Sequence, residues 1–218
     1  VILAIVSTWL ALQIKIGNPV EGSNLLRPDS EFNVAVRRIN SHFPGLMTLE
    51  IVFEGLKDDS RIVKESETIR VMAKLQRYLE LQDAPPEATL SFADYLPETN
   101  RLFNGGNPKF GPLDDSDATV GAVGSALFIG NSTKNYAHVT DFALRNGTVS
   151  LWYKDNRQET VDRALEQTRA ALTTLGGRQI DENTLQFETF KVRLGTGAIA
   201  LQQSVNDTVD RYQLHILL

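Results

Sequence analysis

The protein has 218 residues, 42% of them hydrophobic and 22% charged, with a formal net charge of -5 and no cysteine. That composition suits one globular domain with ample core, or two small ones. It excludes disulfides, thiolate nucleophiles and Cys-based zinc sites, and the mild acidity argues against the clustered basic face that nucleic acid requires.

The first element is an apolar run, Val1 to Leu12, broken only by Ser7 and Thr8. It is short of the roughly 20 residues that span a bilayer. It also lacks the basic n-region and small-x-small cleavage site of a signal peptide. The last residues, "QLHILL", are equally apolar. One reading covers both ends: 1–12 is the end of a transmembrane helix, 209–218 the start of the next, and 13–208 the domain between them. The alternative is a buried terminal helix at each end.

Residues 13–30 carry turn chemistry throughout, at Gly17, Asn18, Pro19, Gly22 and Pro28. Ser30 or Asp29 caps a helix over about Glu31–Phe43, with Val34, Ile39 and Phe43 for burial, and "FPG" ends it. "MTLEIVFEG" alternates Leu49, Ile51 and Phe53 against polar positions and predicts a strand. A helix near Lys64–Gln82 carries Ile69, Met72, Leu75 and Leu79 on one stripe. "ATLSF" is a short strand and "ADYLPETNRLF" a helix. "NGGNPKFGPLDDSD" is a glycine-rich loop, followed by a small-residue helix capped by Ser116 or Asp117.

In "HVTDFALRNGTVSLWYKD", two alternating runs flank Asn146-Gly147, the signature of a type I′ hairpin turn. A helix over about Arg157–Leu175 follows, with Val161, Leu165, Leu172 and Leu175 apolar and Gly176-Gly177 at its end. "TLQFETFKVRL" reads as one strand with a bulge between Phe187 and Phe190. The final helix aligns Ala198, Leu201, Val205, Val209 and Tyr212 on one side. With the middle insert set aside, the order predicts an α+β fold, a ferredoxin-like split β-α-β module with a helical insert.

Catalytic patterns are absent from the sequence. His42, His138 and His215 are not at metal-ligand spacing from one another. The carboxylates of "LDDSD", Leu113–Asp117, lack the central Gly and distal Glu of a calcium loop. "GTG" at 195–197 lacks the phosphate-loop ending, and no nucleophile elbow or zinc-protease motif occurs. The sequons at Asn131, Asn146 and Asn206 read as incidental. No enzyme activity, cofactor or metal is therefore expected. The loop from Asn104 to Pro112, with Phe103 and Phe110, is a candidate lining for an apolar cleft; a plain connection is the alternative.

The stretch "VEGSNLLRPDSEFNVAVRRINSHFPGLMTLEIVFEG" resembles the start of an extracytoplasmic loop of the resistance–nodulation–division (RND) superfamily. The similar branch includes the hopanoid and mycobacterial membrane protein large-type lipid exporters. The matching positions are Gly22, Ser23, Leu26, Pro28, Asp29, Ser30, Phe32, Asn33, Phe43, Pro44 and Gly45. Near the other end, Leu201, Gln202 and Asn206 are similar to the family's helix leading back to the membrane, with Ser204-Val205 departing from its Ala-rich pattern. The resemblance implies a porter-like domain on the periplasmic or outer side of the cytoplasmic membrane. It further implies a homo-oligomeric, proton-driven exporter of hydrophobic or lipid-like molecules. Proton coupling in such proteins resides in membrane helices, so a domain of this kind binds or gates but does not pump. The rival expectation is a free-standing periplasmic binding or assembly domain on one membrane anchor.

Overall fold

A computed structural model describes residues 22–23, 25–114, 116–129 and 131–217, with the side chains of 133, 196, 210 and 213–217 left aside. The apolar run Val1–Leu12 lies outside the described residues, as do the side chains of Ile216 and Leu217. Among the described residues no helix is long and apolar enough to cross a membrane.

The elements in order are α1 (Glu31–His42), β1 (Met47–Gly55), α2 (Ser66–Glu80), β2 (Ala88–Ser91), α3 (Tyr95–Phe103), α4 (Asp117–Leu127), β3 (Asn146–Tyr153), α5 (Gln158–Thr174), β4 (Arg178–Asp181), β5 (Thr184–Gln186), β6 (Phe190–Thr196) and α6 (Gly197–Leu217). The strands form one sheet in the order β2-β3-β1-β6-β5-β4. Every pairing is antiparallel. The expected α+β class is therefore observed.

The central strand obeys its pattern. Leu49, Ile51 and Phe53 are fully buried, and their register on β3 is Leu49 to Leu151, Ile51 to Val149 and Phe53 to Gly147. Helices α2 and α5 pack on this face and against each other. Met72, Leu75, Leu79, Val161 and Leu172 are completely enclosed. Each such side chain stabilises the fold by about 1.5–3 kcal/mol relative to exposure. The insert joins this core through the aromatics Phe92, Phe128, Tyr136 and Tyr95, successive rings lying 5.4–6.1 Å apart. A carboxylate also ties it down: Asp117 Oδ1 accepts from the Ser66 N–H at 2.7 Å, joining the starts of α2 and α4.

Two local expectations are corrected. Asn146-Gly147 is not a turn. Both residues belong to β3, and neither has the positive φ that a type I′ turn demands. The chain reverses earlier, where Asp141 Oδ1 accepts from the N–H groups of Arg145 (2.7 Å) and Asn146 (3.1 Å), and Leu144 takes φ 59°. Gly147 is required by packing instead: a Cβ there would meet Met72 and Val63. Likewise, "TLQFETFKVRL" is not one bulged strand. It is the hairpin β5–β6, closed by Phe187 N–H donating to Phe190 O at 2.8 Å. The irregularity sits further on, where Glu50 pairs with Thr196 but Val52 with Arg193, so β6 carries one extra residue. The short strand β4 was not anticipated at all.

Helix α1 is oriented opposite to expectation, and α6, whose facing the sequence left open, also turns its aligned apolar residues outward. The buried residues of α1 are Asn33, Val36 and Asn40, while Ile39 and Phe43 are exposed, Phe43 by 64%. In α6, Ile199, Ala200 and Asn206 are buried, whereas the aligned Leu201, Val205, Val209 and Tyr212 face outward, Leu201 by 68%. On α1 the residues expected to be buried, Ile39 and Phe43, point to solvent instead. Amides hold both helices inward. Asn40 Nδ2 donates to Lys154 O at 2.6 Å. On α6, Gln158 Nε2 donates to Gln203 Oε1 at 3.1 Å, and Asn206 Nδ2 donates to Gln158 Oε1. Both helices lie at one end of the sheet, because α1 leads into β1, α6 leaves β6, and Glu50 pairs with Thr196.

Glycine substitutions test this packing. Gly45 has φ 120°, and an added Cβ would strike the Tyr153 carbonyl, which is backbone and cannot yield. At Gly147 the obstruction is the flexible end of Met72. Gly45→Ala is expected to cost about 1–3 kcal/mol and more than Gly147→Ala, as read by urea denaturation.

Candidate binding surface

The sequence motif Gly22–Gly45 builds a clamp around Asn33. Ser30 caps α1, its Oγ accepting from Asn33 N–H at 3.3 Å. Asn33 is 3% exposed. Its Oδ1 accepts from Ser23 N–H at 2.9 Å, and its Nδ2 faces three carbonyls, those of Ser23 (3.2 Å), Leu26 (3.4 Å) and Arg27 (3.0 Å). Gly22 takes φ 96°, and a Cβ there would collide with that side chain. Arg37 Nη2 donates to Pro28 O at 2.8 Å. Asp29 forms an exposed ion pair with Arg27 at 3.4 Å. Phe43 and Pro44 border a groove, and Gly45 turns the chain into β1. The motif thus fixes the segment 22–27 on α1 and leaves Leu25, Leu26, Phe32 and Phe43 outward.

Three grooves surround this corner. One, of 460 Å³, lies between the 22–25 segment, Phe32, Val36, Leu46 and the α6 amides Gln202 and Asn206. A second, of 620 Å³, runs under α1 between Ile39, Phe43 and Leu46 on one side and Ala88, Leu90 and Trp152 on the other. A third, of 460 Å³, continues over the sheet face opposite α2 and α5, bordered by Glu50, Val52, Leu90, His138, Thr148, Ser150 and Trp152. All are in the size range of ligand clefts. The last two share Leu90 and Trp152.

Glu50 is the half-buried carboxylate of this face. It stands opposite Ser150 in the β1–β3 register, and Ser150 Oγ donates to Glu50 Oε2 at 2.6 Å. Burial pushes its carboxyl above the usual range, and the Ser150 hydrogen bond partly opposes that rise. Nearby, His138 Nε2 is 2.9 Å from Tyr95 Oη. Burial also raises the Tyr95 phenol, with Tyr136 and Asp94 adding to the effect.

Other candidate residues lie elsewhere. Phe103 ends α3 and Phe110 lies in a short 3₁₀ turn; both are exposed, and neither borders these grooves. Asn100 Nδ2 donates to Phe110 O at 2.7 Å, tying the loop to α3. Asp117 is held below the usual carboxylate range by hydrogen bonding from Ser66. His42 Nδ1 sits 2.9 Å from Arg38 O on its own helix, and the His215 side chain is outside the described residues. Among the described residues, no three His, Asp or Glu converge in a way that could hold a metal ion. Glu50, Ser150 and Trp152 were not singled out from sequence. The available signal was their alternation on the polar side of two strands.

No protein-family model, curated protein or solved structure matches the chain.

Two outcomes follow from this geometry. Asn33→Ala is expected to lose about 1–3 kcal/mol, because buried partners are left unsatisfied. Asn33→Asp, which cannot donate to three carbonyls, should be nearly as damaging. Hydrogen exchange at Ser23 reads both directly. Glu50 binds its proton more tightly folded than unfolded, so ionising it lowers stability as pH rises from the ordinary glutamate range through its raised folded value. Glu50→Gln is therefore expected to raise the Tm at pH 7 and to have little effect near pH 4, as measured by calorimetry.

Proposed function

We propose that this protein is an extracytoplasmic domain of a proton-driven RND-type transporter that exports hydrophobic or amphiphilic molecules such as lipids. The observation that carries the reading is the pair of helices with exposed apolar residues. Beyond the buried Val36, Ile199 and Ala200, α1 and α6 turn amides such as Asn40 and Asn206 inward and most of their large apolar side chains outward, and both lie at the same end of the sheet. Exposed apolar surface is unfavourable in water by about 25 cal/mol per Å² and marks contact with an apolar partner or phase. Two such helices at one end suit a domain whose base meets a bilayer and the membrane helices of its own transporter.

The topology supports the same reading. The strand order β2-β3-β1-β6, with α2 and α5 as the connecting helices on one face, fits the ferredoxin-like module of this reading. The helices α3 and α4 form the insert, and the hairpin partner β5 with β4 extends the sheet beyond β6. The residues shared with the RND resemblance have a mechanical role here. Gly22, Ser23, Ser30 and Asn33 fix the direction in which the chain enters α1. Gly22, Ser23 and Leu25 border one groove with Gln202 and Asn206 of α6, so the entering segment and the departing helix are neighbours. In this reading the domain sits outside the cytoplasmic membrane of a homo-oligomeric exporter. It offers its grooves to substrate, and membrane helices supply the proton coupling.

The sequence contains no cysteine, which makes a topology test direct. Lys57→Cys, at an exposed position beyond β1, is introduced into the protein expressed in its host. The expected result is recovery in the membrane fraction and labelling by a membrane-impermeant maleimide in intact cells whose outer barrier is permeabilised. Deletion of the gene should raise retention of a hydrophobic dye to the level produced by a protonophore. Recovery as a soluble protein, or labelling only after lysis, would overturn the proposal.

A further inference from the structure

The groove under α1 and the groove on the open sheet face meet at Leu90 and Trp152. Together they change character along their length. The α1 end is lined by Ile39, Phe43 and Leu46, with no charged side chain among its described lining residues. The other end presents Glu50, Ser150 and His138. Trp152 stands at the junction, paired across the sheet with Ala88 and Thr48.

Such a lining matches a molecule with the same order of chemistry, an alkyl tail followed by a polar head. Three features select the charge of that head. Glu50 is the carboxylate at the polar end, and neither Lys nor Arg occurs among the described lining residues. A groove end with a carboxylate and no Lys or Arg among its described lining residues is complementary to a cationic head. The indole of Trp152 adds an aromatic surface that attracts ammonium groups within about 6 Å. An anionic head would meet Glu50 repulsively and gain nothing from the indole.

We propose that this groove binds a single-chain amphiphile with an ammonium head, the tail lying under α1 against Ile39, Phe43 and Leu46 and the head at Glu50 and Trp152. The binding stands on the groove alone. Its meaning, that cationic amphiphiles are a class the transporter carries, rests on the function proposed above.

The test uses the 218-residue chain. Isothermal titration calorimetry compares dodecyltrimethylammonium, dodecyl maltoside and dodecyl sulfate, each below its micellar concentration. The ammonium compound is expected to bind at least about ten-fold more tightly than the sulfate, a difference of about 1.4 kcal/mol. Glu50→Gln, a variant expected to keep the fold, should erase that preference while leaving dodecyl maltoside binding unchanged. Trp152→Ala should weaken all three. Leu201→Ser, on the outward face of α6 and outside the groove, should leave the preference intact and so exclude general detergent adsorption. Equal affinity for the three heads, or an undiminished preference in Glu50→Gln, would overturn the proposal. That outcome leaves the topology result with Lys57→Cys standing, so the ligand class and the transporter reading fail separately.

Discussion

Side-chain amides set beside a few buried apolar anchors, Val36 on α1 and Ile199 and Ala200 on α6, hold the two end helices to this protein. Asn33 and Asn40 face inward from α1, and Gln203 and Asn206 meet Gln158 from α6. An amide bond of this kind has a fixed direction and leaves a large penalty if one partner is lost. It therefore sets the rotation of each helix more sharply than a hydrophobic stripe would. With the rotation set, the remaining apolar residues, among them Phe32 and Ile39 on α1 and Leu201, Val205 and Val209 on α6, point outward. The grooves around α1, the exposed face of α6 and the placement of Phe43 at a groove edge all descend from that constraint.

The contrast with α2 and α5 is instructive. Those helices follow the ordinary rule, with apolar stripes against the sheet and polar residues in solvent. They supply the cohesion of the body through residues such as Met72, Leu75 and Leu172. Stability and surface chemistry are thus divided between different helices. A conventional core lets α1 and α6 present apolar side chains without unravelling the sheet. Glu50 extends the same division to the strands: the face toward α2 and α5 is sealed, and the opposite face keeps a carboxylate that burial disfavours.

The sequence made the body legible and the ends illegible for a definite reason. Periodicity reports that Leu201, Val205 and Val209 share a face, but it carries no sign for the direction of that face. Asn and Gln at the opposing positions look like ordinary surface residues until a partner such as Gln158 is placed beside them. The Asn146-Gly147 pair misled because a glycine can answer to packing instead of turn geometry: Met72 and Val63 fill the space its side chain would take. "RQID" lacks any alternation of apolar residues, since all four are exposed, and so β4 left no trace. The site was hidden differently. Glu50 and Ser150 are 100 residues apart and meet only through strand register. No local pattern encodes that meeting.

The two edges of the sheet are β2 and β4, each only four residues long. On β4 the charged Arg178 and Asp181 flank an irregular register between Gln179 and Asp181. Short, charged and bent edges resist the strand-by-strand growth that leads to aggregates. A protein that displays this much apolar helix surface thus has two short sheet edges, and β4 in particular is shielded against runaway pairing. Any contact between copies is thereby steered from the β4 edge toward the helices, whose apolar faces end at a finite surface instead of repeating without limit.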